Sequence, residues 1–204
     1  AFGSPQILLL SGIGPADELR AHGIDPLHDL EGVGRNLQDH LELYIQHACT
    51  RPVTLMTAMR PHNMAAIGAR WFLDGSGLGG SSHLEAGAFI RSAAGVPHPD
   101  IQYHFLPGAI AYNGKLATRK HGFQMHVGPN RSKSRGTVTP VSANPDDAPK
   151  LTFNYMSVDE DWTDFRSCIR LTREIIEQPA MQEFADGEIQ PGDDVTSDEA
   201  IDDF

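Results

Sequence analysis

Residues Ser4 to Pro15, SPQILLLSGIGP, hold a four-residue apolar run between a proline and a glycine cluster. Ser4 can cap a helix with its hydroxyl, Pro5 suits the first helical position, where no N–H partner is lost, and Gly12 suits the left-handed closing residue. One short, buried helix is expected. Pro15 and Gly23 bracket a second, PADELRAHG. At the other end, Thr196 and Glu199 predict a capped helix that stops within its first turns. The chain thus reads as packed structure from its first residues, and truncation at both ends is the expectation.

With 204 residues, 40% hydrophobic and 21% charged, the chain can bury a core and has the composition of a globular protein. A net charge of −11 argues against nucleic acid as a partner, because phosphate binding needs clustered Lys and Arg. Cys49 and Cys168 lie far apart without metal or redox spacing, so a reducing compartment is the simplest reading. No apolar run approaches the length of a membrane span, which leaves membrane association peripheral or outside this chain.

Beyond the two helices, Ile24 to Leu30 reads as a short extended segment and EGVGRNLQDH as a polar loop. Leu41 to Thr50 alternates as a strand does, which sets His40, Glu42 and Tyr44 on one face. A helix is predicted over 64–73, then a glycine loop, DGSGLGGSS. HLEAGAFIRS, DIQYHFLPG, GFQMHVGPNR and RGTVTPVS follow as short, punctuated strands. Ser157 and Glu160 predict a capping box for the clearest helix, with Trp162, Phe165, Cys168, Ile169, Thr172, Ile175 and Ile176 on one face and Pro179 ending it. The fold class is α+β, with helices flanking a mostly antiparallel sheet.

Several chemistries fail on context. GSGLGG is followed by a strand pattern, whereas a dinucleotide loop needs a strand before it and a helix after it. HPDIQYH and HGFQMH carry paired histidines, but neither has a zinc spacing, and no metal is expected. LQDHLE gathers Asp39, His40 and Glu42 within four residues, although on composition alone a solvated loop end is the better reading. His104, amid Ile101, Tyr103, Phe105 and Leu106, is either a satisfied core histidine or a pocket residue. NRSKSRG reads as a solvated hairpin and the acidic stretch 193–203 as a solvated helix start.

AFGSPQILLLSGIGP closely resembles the second signature of the glucose-methanol-choline (GMC) family of FAD-dependent oxidoreductases, and GVGRNLQDH resembles its companion segment. The likeness continues through QYHFLPGAI, GFQMHVGPNRSKSRGTV and FNYMSVDEDWTDFRSCIRLTREIIEQPA, where it is to choline-oxidising members in particular. It implies that residues 1–40 are the C-terminal-side piece of an α/β FAD-binding domain and 41–204 a substrate-binding domain cut short at its C-terminal end. It further implies FAD as cofactor, with Asn36 and Asp39 on the cofactor side, and choline as substrate, oxidised to betaine aldehyde and on to glycine betaine. Electrons would pass to a respiratory acceptor on the cytoplasmic side of a bacterial cell.

By the same resemblance, Glu42 faces a trimethylammonium group while His40 and His104 help hold the substrate. A quaternary ammonium donates no hydrogen bond, so charge and aromatic faces must recognise it. Leu84 and Ile110 stand where choline-oxidising relatives place aromatic residues, which predicts a weaker aromatic cage. The chain lacks the family's GxGxxG and stops before its catalytic histidine, so it carries no catalytic residue and is expected to be inactive alone. Two other readings stay open: a GMC oxidoreductase acting on a neutral or aryl alcohol, for which Glu42 would be idle, and a flavin-free binding module for quaternary ammonium compounds.

Overall fold

The computed structural model describes residues 2–112, 115, 117–118 and 120–204. In chain order its elements are α1 (Gly3–Leu10), β1 (Ile13–Gly14), α2 (Ala16–Ala21), β2 (His28–Asp29), β3 (Leu43–Cys49), α3 (Leu55–Ala58), α4 (Pro61–Asp74), β4 (Ala86–Ile90), β5 (Ile101–Leu106) and β6 (Gly122–Pro129). Then come β7 (Thr137–Thr139), β8 (Lys150–Thr152), α5 (Asp159–Ile176), α6 (Pro179–Gln182), β9 (Ala185–Gln190) and α7 (Asp198–Asp203). They form two compact units, residues 1–41 with 131–161, and 42–130 with 162–204. The α+β class with a mostly antiparallel sheet is what forms.

In the first unit, α1 begins at Gly3, so Ser4 lies inside the helix rather than capping it. Gly12 takes the left-handed conformation as expected, with φ +79°, and a Cβ there would fall 2.5 Å from the Asp25 carbonyl oxygen. The apolar run is not buried throughout: Leu9 packs with Leu19, Ile24 and Val33, whereas Ile7 is 66% exposed. Of the predicted extended segment only β2 pairs, parallel to β1.

Residues 131–161 belong with this unit because the loop after β2 binds them: Val138 N–H donates to the Gly34 carbonyl at 2.8 Å, and Leu37 and Gly136 bridge antiparallel. The two units meet along the chain at 41/42, 130/131 and 161/162. NRSKSRG is not simply solvated. Ser132 Oγ, Lys133 N–H, Ser134 N–H and Ser134 Oγ all donate to the fully buried Asp161 carboxylate, at 2.7, 2.7, 3.0 and 2.5 Å. Burial alone would raise the Asp161 carboxyl, yet the bonds from Ser134, Lys133 and Ser132 together hold it below its ordinary value.

The second unit is built on a five-stranded antiparallel sheet in the order β4-β5-β6-β3-β9. Side chains alternate across it, so Ile45, Ile101, Tyr103, Phe123, Met125 and Val127 point to one face and pack against Cys168, Ile169 and Ile176 of α5 and Ile201 of α7. Thr172, fully buried on α5, donates to the Cys168 carbonyl at 2.7 Å and reaches the Tyr103 hydroxyl at 3.1 Å, so the core phenol is not left unpaired. Helix α5 ends at Ile176, and Pro179 opens α6 instead of closing α5. Helix α7 is capped one residue later than predicted, by Ser197 Oγ accepting from Ala200 N–H.

The acidic stretch is ion-paired rather than merely solvated: Arg166 binds Asp202 and Arg170 binds Asp198. Arg173 grips Glu188, whose side chain is 2% exposed, through two bonds of 3.0 and 2.8 Å. Both cysteines are free thiols. Among the described residues no helix is long and apolar enough to cross a membrane, and no group of side chains could hold a metal ion.

Candidate functional site

The sheet face opposite the α5 core carries Tyr44 and Gln46 from β3, Gln102 and His104 from β5, and Gln124 and His126 from β6. Register sets Tyr44 and His104 both directly across from His126. The strand begins at Leu43 rather than Leu41, and Glu42 is the last residue before it. From there its Oε1 lies 3.0 Å from His126 Nδ1. His126 stacks on Tyr44 with ring centres 4.0 Å apart, and Tyr44 stacks on Tyr112 at 4.3 Å. A carboxylate thus stands beside a stack of three rings.

The electrostatics of the cluster agree with its geometry. Burial raises the Tyr44 phenol and the Glu42 carboxylate raises it further. Burial, then Tyr44 and Glu42, does the same for Tyr112, although a main-chain hydrogen bond from Tyr44 works the other way. His126 sits below its usual value because burial, with a smaller contribution from His104, outweighs the pull of Glu42. Partial burial, with side-chain exposures of 13% for His126 and 30% for Glu42, leaves the carboxylate less screened than one in open water.

Glutamine pairs order the imidazoles. The Gln102 amide reaches His104 Nε2 at 2.9 Å, and the Gln124 amide reaches His126 Nε2 at 2.7 Å. The repeated Gln-x-His in IQYHFL and FQMHV was the available signal for this arrangement; reading those histidines for metal spacing passes over it. His126, Gln124, Gln46, Tyr44 and Tyr112 thus join the candidates that sequence reasoning named.

Those named candidates are only partly brought together. Glu42 and His104 lie on this face. His40 belongs to the first unit, exposed, its N–H donating to Asp39 Oδ1 at 3.0 Å. Leu84 precedes β4 and is 42% exposed. Ile110 contributes main chain: its N–H donates to Gln124 Oε1 at 2.8 Å, and its carbonyl accepts from Gln46 Nε2 at 3.0 Å. The aromatic ring beyond β5 comes from Tyr112, two residues further on. A cavity of about 550 Å³ is lined by Val53, Leu55, Ile67, Leu78 and Pro107 among others and by none of these candidates. Its polar lining is Thr54, Thr57, Asn63 and Glu85.

Asn36 and Asp39, expected on the cofactor side, both lie in the first unit. Asn36 occupies a left-handed turn, with φ +58°, and the Asp39 carboxylate is held by the Tyr155 hydroxyl. The segment GSGLGG forms a loop with a single 3-10 turn at Leu78–Gly80, and β4 follows it, so no strand-loop-helix phosphate site is present there.

Residues 132–204 match the family model described as GMC oxidoreductase. Over its whole length the chain is similar to oxygen-dependent choline dehydrogenases. It is 56% identical over all 204 residues to that of Brucella anthropi, covering 37% of that protein. To that of Photobacterium profundum it is 55% identical over 202 residues, 99% of this chain and 36% of that protein. The chain therefore spans a little over a third of the length of these relatives. A formate oxidase variant from Aspergillus oryzae shares the fold at 23% identity, with a TM-score of 0.86 over 98% of this chain and 40% of that one.

Proposed function

We propose that this chain supplies the substrate-facing sheet of an FAD-dependent choline dehydrogenase, which oxidises choline to betaine aldehyde and on to glycine betaine. The observation that carries the reading is the partly buried Glu42 carboxylate beside the Tyr112–Tyr44–His126 stack. A trimethylammonium group offers positive charge over apolar methyls, and a carboxylate flanked by aromatic rings answers both properties. Glu42 is the charge partner in this reading, Tyr112 and Tyr44 are the aromatic surface, and His104 orients the substrate hydroxyl. Residues 1–40 would belong to the flavin-binding side and the five-stranded sheet to the substrate side. Asn36 and Asp39 would stand on the flavin side, and the rest of the full-length enzyme would supply the main hold on the flavin.

The relatives' description as oxygen-dependent supports oxygen as the final destination of the electrons, with a respiratory carrier between. The bacterial sources of the relatives support a bacterial cell as its setting. The substitution Glu42→Gln in the full-length enzyme tests the assignment. It should raise the KM for choline about tenfold or more, the equivalent of one well-placed charge contact. The uncharged isostere of choline, dimethylbutanol with carbon in place of the ammonium nitrogen, should keep its KM unchanged. Equal effects on the two alcohols would remove Glu42 as the charge partner.

A further inference from the structure

The hydrogen bonds around His126 have a direction that can be read from one unambiguous donor. Ile110 N–H can only donate, and it points to Gln124 Oε1 at 2.8 Å. Gln46 Nε2 donates to the same oxygen at 2.9 Å and to the Ile110 carbonyl at 3.0 Å. The orientation of the Gln124 amide is therefore fixed, and its NH2 must be the group 2.7 Å from His126 Nε2. Nε2 must accept, so the ring proton is on Nδ1, which faces Glu42 Oε1 at 3.0 Å. Gln46 and Gln124 are each 1% exposed, so water cannot easily relieve a mismatch.

We infer that the Gln46–Gln124 relay locks His126 as a neutral imidazole bearing its proton on Nδ1, so that His126 positions the Glu42 carboxylate without cancelling its charge. An imidazolium would set Nε2–H against the Gln124 NH2, two donors 2.7 Å apart. Protonation would also pair Glu42 internally and weaken its hold on a cationic substrate. The other titratable groups facing His126 are Tyr44 of β3 and His104 of β5, with Tyr112 beyond Tyr44. The phenols are neutral across physiological pH, and a charged His104 would oppose a second cation beside it. Burial works in the same direction as the relay.

This inference rests on the choline reading only for its kinetic consequence, and two measurements on the full-length holoenzyme separate them. In protein labelled with 15N-histidine, the His126 resonances, assigned by their loss in His126→Asn, should show Nδ1 protonated and Nε2 unprotonated at pH 7. An Nε2–H tautomer or an imidazolium would overturn the lock whatever the substrate. Second, Gln124→Glu places an acceptor at Nε2 and should favour the imidazolium. Choline KM should then rise about tenfold at pH 6–7 while that of the uncharged isostere is unmoved. His126→Asn, which keeps a donor near Glu42 but cannot titrate, should give a choline KM flat across the same range. If both alcohols shift together in these variants, His126 is structural only; if wild-type enzyme does not distinguish them, the choline reading fails while the tautomer result still decides the lock.

Discussion

Replacing Asp161 by Asn should destabilise the protein far more than the single-atom change suggests. The Asp161 side chain is fully buried, and its Oδ2 accepts from Ser132 Oγ, Ser134 N–H and Ser134 Oγ while Oδ1 accepts from Lys133 N–H. An asparagine can keep its oxygen at the three-donor position, but its NH2 then confronts the Lys133 N–H and the remaining bonds lose their ionic character. Hydrogen bonds to a charged group are worth about 1.5–3 kcal/mol against 0.5–1.5 for neutral ones, and breaking a buried charge network costs about 3–5 kcal/mol, so about 3–5 kcal/mol is expected here. With a slope of about 2–3 kcal/mol per molar, the urea midpoint followed by circular dichroism should fall by about 1–2 M. The pH dependence has a definite sign. Because the folded carboxyl lies below its ordinary value, its contribution is complete above about pH 4–5 and is lost as pH falls through the folded pKa, so the gap between wild type and variant should close on the acid side. A midpoint within about 0.3 M of wild type at pH 7 would refute the claim that this carboxylate organises the 132–134 loop.

Arg173→Ala should remove the guanidinium partner of Glu188 in a site where the Glu188 side chain is 2% exposed, lowering stability by about 3–5 kcal/mol. Arg173→Lys should recover only part of that loss in thermal melts, because an ammonium cannot reproduce the two-pronged contact. His47 is held below its ordinary value, first by burial and also by Arg173, against the pull of Glu188 and Asp193. The unfolded chain therefore takes up the proton first, and stability should fall as pH drops below about 6.5 toward the folded pKa. His47→Gln should flatten that acid-side loss in melts between pH 7 and pH 5, and an unchanged slope would show that His47 does not contribute to it.

How much of this could be read beforehand depended on whether the deciding interactions were local. Strands β3, β5 and β6 announce themselves by alternation, because one face must be apolar to meet α5, and that same alternation sets Glu42 and Tyr44 together. The amphipathic face of α5 was equally plain. The missed features depend on residues far apart in sequence. Nothing near NRSKSRG reveals that a carboxylate 27 residues beyond Ser134 will collect its donors. His126 looked like half of a metal pair because its partner, Glu42, is 84 residues away. Tyr112 follows a strand and has no periodicity of its own, and only its stacking on Tyr44 gives it a role. Caps were misplaced by two residues at Ser4, where α1 starts at Gly3 with no side-chain cap, and by one at Thr196, where the adjacent Ser197 hydroxyl takes the role.

The central claim is that a carboxylate on this sheet selects a cationic alcohol, and anaerobic reduction of the flavin in the full-length enzyme tests it most directly. With equal, subsaturating concentrations, choline should bleach the flavin absorbance at least about tenfold faster than its uncharged carbon isostere, the difference one desolvated charge contact supplies. Equal rates, or bleaching by the neutral alcohol alone, would contradict the account and return Glu42 to an idle position on the sheet.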